Sequence, residues 1–304
     1  MNDREARASV NLRRIINMIR SLNSAITGLR SQQTALDIIG NNIANSSTPG
    51  FRYSRATFQD LFYETLSQGS ATVDPSQVGY GTKVGSIDRT MDRVGATQTD
   101  RAEDLYIDGD GYFAVNTSED NTGSNYYTRV GNLHVSTDGY VLDSNGNYVL
   151  DNTTASGAYA GVPICLVGDT LNGSALAAAD LKNLSITFNN DGSISGSLNN
   201  GTVGQLTKSG KAVTIGVVSF TNPDGLLDVG NSCFSKSMSS GDPAEVNMTS
   251  SSTFIRSGEL DMSNVDLAKE FTNMISTERG YQSDARVITV SDDILQELVN
   301  LKRS

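Results

Sequence analysis

The sequence predicts an α+β fold, with a discontinuous terminal α-helical coiled-coil domain built from the N- and C-terminal helices and an antiparallel all-β domain between them. Three observations predict it. Apolar residues recur at steps of three and four at both ends of the 304-residue chain, a string of Asx-Gly dipeptides punctuates the middle, and the charge is divided along the same lines. The net charge is −11 overall, but residues 46–261 carry −12, while residues 1–45 carry +3 and residues 262–304 carry −2. An acidic segment that keeps a protein soluble belongs against water, and near-neutral ends are free to pack.

At the N-terminal end, Ile15, Ile19, Leu22, Ile26, Leu29, Gln33, Leu36, Gly40 and Ile43 step by four and three in alternation. That is a heptad seam, broken only by Gln33 and Gly40. Ser31 falls on the opposite face and is expected to point outward. The stop is Asn45-Ser46-Ser47-Thr48-Pro49-Gly50, a cluster of turn formers. At the other end Leu267, Phe271, Met274, Tyr281, Ala285, Ile288, Leu295 and Val299 keep the same stepping, with Leu298 beside the last of them. Ser263 and Asp266 read as a capping box opening that helix. The two seams most simply pair with each other, and any apolar surface left over must find another subunit.

Between residues 100 and 260 the chain carries Asp108-Gly109, Asp110-Gly111, Asp138-Gly139, Asn145-Gly146, Asp191-Gly192, Asn200-Gly201 and Asp224-Gly225. Such pairs favour tight hairpins, because both central residues tolerate positive φ. Their flanks read as strands at 105–107, 112–115, 140–142, 184–188 and 212–220, with a short helix hinted at 174–181. Residues 46–100 are expected to be an extended connector, with a short helix at 56–66. The expected boundaries are therefore 18–45 with 262–304 for the helical domain, 46–100 for the connector and 101–261 for the β-rich domain.

Catalytic signals fail on inspection. Gly79-Tyr80-Gly81-Thr82-Lys83-Val84-Gly85 places its third glycine one position late for a dinucleotide loop and reads as a turn or bulge. Asp108-Gly109-Asp110-Gly111 continues with Tyr112 and Phe113, where a calcium loop needs a ligand and a glycine. Gly192-Ser193-Ile194-Ser195-Gly196 has Ile194 at the nucleophile position of an esterase elbow. Tyr126-Tyr127 and Tyr112-Phe113 read as sheet packing before they read as a stacking platform. The single histidine, His134, reads as structural. Cys165 reads as a buried core thiol and Cys233 as a strand or loop residue, both unpaired. The sequence predicts no enzyme, no catalytic residue, no metal site and no cofactor. The acidic balance argues against nucleic acid, and no apolar run approaches the roughly 20 residues that span a bilayer.

Residues 33–45, from Gln33-Thr34-Ala35-Leu36 to Ile43-Ala44-Asn45, followed by Thr48-Pro49-Gly50-Phe51, resemble the N-terminal signature of the bacterial flagellar rod and hook axial protein family. Residues 258–267 resemble the segment that opens its C-terminal helix, and residues 293–301 resemble its close. Leu105-Tyr106-Ile107-Asp108-Gly109 and Tyr127-Thr128-Arg129-Val130-Gly131-Asn132 match internally. Within the family the segments look most like short hook proteins of Gram-positive type. The alternative is a distal rod protein, since only about 60 residues separate Leu150 from Ala212, too few for the outer domain of large hook proteins. A second alternative is a non-flagellar β binding module braced by terminal helices.

The resemblance implies a tubular homo-polymer, with the helices lining the inside and the β-domain forming the outer wall. Residues 46–100 would bridge subunits. As a hook, the polymer would be a universal joint passing motor torque to the filament. Implied partners are the adjoining rod, junction and cap proteins and the export apparatus, with export outside the cytoplasm and no cleaved signal peptide. Met18 looks like the usual start of the family, which makes 1–17 an N-terminal extension. Leu22, Ile26, Leu29, Leu36, Ile43, Leu267, Phe271, Met274, Leu295 and Leu298 are the expected self-assembly seam.

Overall fold

The computed structural model describes residues 3–69, 74–152, 161–171, 174–177, 180–199, 201–208, 210–248 and 252–303, with side chains from Met18 onward apart from 174, 298–299 and 301–303. The chain divides into two compact units, one made of Met1–Ser46, Tyr53–Arg89 and Val265–Ser304, the other of Ser47–Arg52 and Thr90–Asn264.

The first unit contains both long helices, α1 (Asp3–Ala44) and α2 (Leu267–Arg303). They run antiparallel: Gly28 lies against Asp284, Gln32 against Gly280, and Asn42 against Glu270. The capping expectation is corrected in one respect. Asp266 caps α2, its Oδ1 accepting from the amides of Ala268 (2.9 Å) and Lys269 (3.2 Å). Ser263 lies upstream, its hydroxyl buried without a hydrogen-bond partner among the described residues.

The same unit holds four strands, β1 (Ser54–Asp60), β2 (Tyr63–Ser67), β3 (Ser76–Gly79) and β4 (Thr82–Arg89). β1 pairs antiparallel with β4, and β2 with β3. The expected helix at 56–66 is therefore strand, and 53–89 groups with the helices. Thr57, Phe58, Tyr63 and Thr65 favour a pleated conformation, and their partners Ser86, Val84, Gly79 and Gln77 lie well downstream, beyond the reach of local pattern. The register slips once between Thr57 and Phe58, leaving Gly85 unmatched as a bulge.

The second unit is built from short strands: β5 (Ala96–Gln98), β6 (Leu105–Asp108), β7 (Tyr112–Asn116), β8 (Asn125–Thr128), β9 (Leu133–Val135), β10 (Val141–Asp143), β11 (Tyr148–Val149), β12 (Thr170–Leu171), β13 (Ser174–Ala175), β14 (Leu184–Phe188), β15 (Ile194–Leu198), β16 (Val203–Lys208), β17 (Lys211–Ala212), β18 (Val217–Ser219), β19 (Leu227–Gly230), β20 (Cys233–Ser235), β21 (Ala244–Glu245), β22 (Phe254–Ser257) and β23 (Glu259–Asp261). Every pairing is antiparallel. One sheet runs β19-β20-β8-β7-β11-β10-β9, with β18 joining β7 and β21; a second runs β13-β12-β16-β15-β14, with β17 on β16. β22 pairs with β6 and β23 with β5.

β7 shows how the core is laid out. All five of its residues are buried. Alternation along the strand sends Phe113 and Val115 into the larger cluster, with Phe188, Ile194 and Leu206 of the second sheet. Tyr112 and Ala114 enter a smaller cluster on the other face with Tyr127, Phe220 and Phe234. There the rings meet edge to face, with centroids 4.8 Å apart for Tyr127 and Phe220 and 5.8 Å for Tyr112 and Phe234. Tyr112 and Tyr127 are thus packing residues.

Most Asx-Gly signals sit at turns where the glycine takes positive φ, including Gly139 (84°), Gly146 (81°), Gly192 (76°) and Gly201 (82°); Asn200 itself lies outside the described residues. Asp224-Gly225 is different: it closes a short 3₁₀ turn, Pro223–Gly225. The expected long strand at 212–220 is split between β17 and β18. Residues 174–181 open as strand, and the helical turn comes later, at Asp180–Asn183; 178 and 179 lie outside the described residues. The cysteine expectation is reversed in burial, with Cys165 half-buried and Cys233 buried; both are free thiols.

Asp169, on the edge of the larger cluster, is 4% exposed, and its Oδ2 has no partner among the described residues. Burial pushes its carboxyl up to about 6, with Lys208 opposing the shift and Asp151 adding to it. The raised value means that the folded state takes up a proton before the unfolded state does. At pH 7 the buried charge is therefore a cost, relieved as pH falls through 6 towards 4. Asp169→Asn is expected to stabilise the protein by roughly 1–2 kcal/mol at pH 7, the advantage vanishing by about pH 4. Urea midpoints at the two pH values check it.

Candidate functional site

The residues that join the two chain ends are the first candidate. α1 meets α2 at Gly28, Gln32 and Asn42, and Ala25, Ala35 and Ile39 continue these positions as a stripe stepping by three and four. Of these, Ala25, Ala35, Ile39 and Asn42 are buried. Gly28 faces Asp284, whose carboxyl burial pushes upward. Small side chains let two helices approach closely, so that many atoms come into dispersion contact. The intramolecular contact is thus carried by a stripe beside the bulky one.

The bulky residues sit as follows. Leu22, Ile26, Leu29, Leu36 and Ile43 are half-buried on α1, Met274 and Leu295 are half-buried on α2, and Leu267 and Phe271 are exposed. The side chain of Leu298 lies outside the described residues, as do those of 1–17. Ser31 corrects the outward expectation: it is 4% exposed, and its hydroxyl donates to the Thr82 carbonyl. This face of α1 is occupied because β4 starts upon it. Gly81, with φ of 104°, sits so close that an added Cβ would overlap the Thr27 hydroxyl. Hydropathy alone selects the bulky stripe; the signal for the true contact is the parallel run of small residues.

Asn42 closes the seam. It is fully buried, donates to the Ser54 carbonyl at 2.7 Å and to Glu270 Oε2 at 2.9 Å, and accepts from the Ser54 amide at 3.1 Å. Glu270, also buried, takes a second bond from Asn273 Nδ2 at 2.9 Å. One amide therefore fixes the end of α1, the start of β1 and the first turn of α2.

A second clamp lies within the other unit. Arg52 and Asp261 are both buried and form an ion pair, while Arg52 Nη1 also donates to the Met262 carbonyl at 3.2 Å. The Gly50 amide donates to the Asp261 carbonyl at 3.0 Å, and φ of 69° with Val130 pressed against the missing Cβ makes glycine necessary there. Arg129 lies over the Tyr112 ring and donates to the carbonyls of Gly109 (2.6 Å) and Gly111 (3.0 Å).

These contacts hold segments together; they do not present reacting groups. His134 is exposed on β9. Among the described residues no cluster of three or more His, Cys, Asp or Glu side chains could hold a metal ion. No described helix is long and apolar enough to cross a membrane.

Three family models match the chain. Residues 22–52 match flagella basal body rod protein, residues 106–196 match flagellar hook protein FlgE/F/G D1 domain, and residues 256–301 match flagellar basal body rod FlgEFG protein C-terminal. The chain is 39% identical over 296 residues to the flagellar basal-body rod protein FlgG of Bacillus subtilis, covering 94% of this chain and 100% of that relative. It is 29% identical over 297 residues to the FlgG of Borreliella burgdorferi, with 94% and 100% covered. The flagellar hook protein FlgE of the same organism is 27% identical over 448 residues, again covering 94% and 100%. The two terminal matches contain Asn42, Arg52, Asp261 and Glu270.

Asn42→Ala would leave the half-buried Ser54 backbone groups without this partner and remove one donor from the buried Glu270. A loss of roughly 2–4 kcal/mol is expected. Glu270→Gln keeps an acceptor for Asn42 and is expected to cost less than half as much. Urea unfolding followed by helical circular dichroism separates the two.

Proposed function

The chain belongs to the bacterial flagellar rod and hook protein family, and within it we propose that this protein is a distal rod subunit of the FlgG type. The observation that supports this reading is length. The rod relatives align over 296–297 residues with their whole chains covered, whereas the alignment with the hook relative extends over 448 positions. This replaces the hook preference drawn from the sequence. The terminal segments on which that preference leaned resemble rod and hook proteins alike, and the middle of the chain has no room for the extra domain.

As a structural subunit, the protein needs no catalytic constellation. Its activity is geometric: identical contacts repeated along a tube. Leu22, Ile26, Leu29, Leu36, Ile43, Leu267, Phe271, Met274, Leu295 and Leu298 are proposed as coiled-coil contacts between copies, an assignment supported by the exposure of Leu267 and Phe271 and by the half-burial of those from Leu22 to Ile43, Met274 and Leu295. The adjoining rod, hook, junction and cap proteins and the export apparatus are the partners this reading implies.

Electron cryotomography of a deletion strain tests the assignment. A shortened rod with no hook is expected; a full-length rod that lacks only the hook would restore the hook reading. Phe271→Asp changes a side chain that is 51% exposed. It should leave the unfolding midpoint unchanged and abolish incorporation into basal bodies, as read by immunoblotting of purified organelles.

A further inference from the structure

The oxidisable sulfurs of this protein belong to seven methionines and two cysteines, and the fold shields them unequally. Met248 is 4% exposed in the larger cluster, Met18, Met91 and Met274 are half-buried, and Met262 is 47% exposed. Met1 lies outside the described residues. Met238 stands apart at a relative exposure of 105%, with nothing covering its side chain. The two thiols are less available, since their reaction needs an accessible thiolate. Cys233 is buried, and burial with Asp143 nearby pushes its thiol up to about 11. Cys165 is half-buried, and its Sγ donates to the Val167 carbonyl at 3.7 Å.

Met238 is the tip of a turn whose other residues are tightly held. Ser237 Oγ accepts from the amides of Ser239 (3.0 Å) and Ser240 (3.1 Å) and donates to the Gly225 carbonyl. Ser240 is fully buried, and its Oγ accepts from the Ser237 amide at 3.0 Å and donates to the Ser237 carbonyl at 3.0 Å. Asn222 Nδ2 donates to the Ser239 carbonyl at 3.1 Å. A methionine side chain is flexible and apolar, and on a loose loop it would fold back onto the nearest apolar surface. With the backbone fixed on both sides of it, the Met238 thioether is held in water, where a small oxidant reaches the sulfur unhindered.

We propose that Met238 is a reversible oxidation site, converted by hydroperoxides to methionine sulfoxide ahead of the other described sulfurs. The thioether sulfur attacks one oxygen of the peroxide, so that an S–O bond forms as the O–O bond breaks. The sulfur gives up two electrons, and the departing oxygen takes a proton and leaves as water or an alcohol. The product is polar where the thioether was apolar, but at this tip it displaces no packing, so the fold is retained. The same exposure leaves the sulfoxide open to methionine sulfoxide reductases, which return it to the thioether. The inference goes beyond the rod-subunit reading and does not depend on it.

The test treats the full chain with limiting hydrogen peroxide and locates the added oxygen over time by peptide mass spectrometry. The first oxygen is expected on Met238, before Met262 and Met248, while both thiols still titrate with a thiol reagent. In denaturing urea the preference should vanish, because the fold creates it. Methionine sulfoxide reductases A and B with a thiol reductant should restore the original mass. Met238→Leu should lose the fast phase of oxygen uptake, and both this variant and the singly oxidised chain should unfold at the wild-type urea midpoint. Oxidation that begins at another described methionine or at a cysteine would overturn the proposal. So would a fast phase that survives in Met238→Leu, a preference that persists in urea, a sulfoxide the reductases leave untouched, or a midpoint lowered by the single oxidation.

Discussion

Everything in the helical unit depends on one buried amide. Asn42 and Glu270 are 228 residues apart in sequence, yet they share a hydrogen bond inside a seam with no room for water-exposed alternatives. Closing a flexible loop of that length would cost about 5 kcal/mol in chain entropy, more than a single hydrogen bond returns. The chain meets this cost through contacts that the intervening residues make among themselves. β23 pairs with β5, and Arg52 grips Asp261 and the Met262 carbonyl. Residue 52 is thereby held beside residues 261 and 262, and only short tethers remain to the helix ends.

The two units handle apolar surface in opposite ways. In the β-rich unit Phe113, Leu105, Ile194, Leu206 and Ile215 are essentially inaccessible, packed between two sheets. In the helical unit Phe62, Tyr63, Leu66, Ile87, Phe271, Ile275 and Val290 are exposed. A hairpin of two strands is marginal by itself in water, and β2–β3 has only a small anchor at its base, where Glu64 accepts from Arg20 and from the Tyr80 hydroxyl. A subunit that is complete in one half and unfinished in the other suits the proposed rod subunit, whose final packing partners would be copies of itself. The acidic charge lies mainly on the complete half, where it favours solubility without opposing close contact between helices.

The contact stripe of small residues also has a logic for an assembling subunit. Ala25, Gly28 and Ala35 allow the helices of one chain to approach closely while Ile39 is the one large apolar residue of the stripe spent on that contact. Leu22, Ile26, Leu29 and Phe271 remain at or near the surface. Had the bulky stripes packed against each other within the chain, little of that surface would be left to offer a neighbour.

The sequence by itself determined the α+β class, the two long terminal helices, the antiparallel middle and most of its hairpin turns. These follow from interactions between residues only a few positions apart: the helical repeat, the strand alternation, and glycine's tolerance of positive φ at Gly139, Gly146 and Gly192. It also determined the family, because the motifs at the two ends are local strings. Tertiary structure decided the rest. Residues 56–60 became strand because β4 supplied their backbone partners, and Ser31 was buried because β4 begins against it. The small stripe faced inward because close approach and the Asn42–Glu270 bond outweighed hydropathy. None of these partners lies within a helical turn or a hairpin of the residue it governs. A pattern read along the chain registers which residues are apolar, whereas burial is set by which distant segment arrives to cover them.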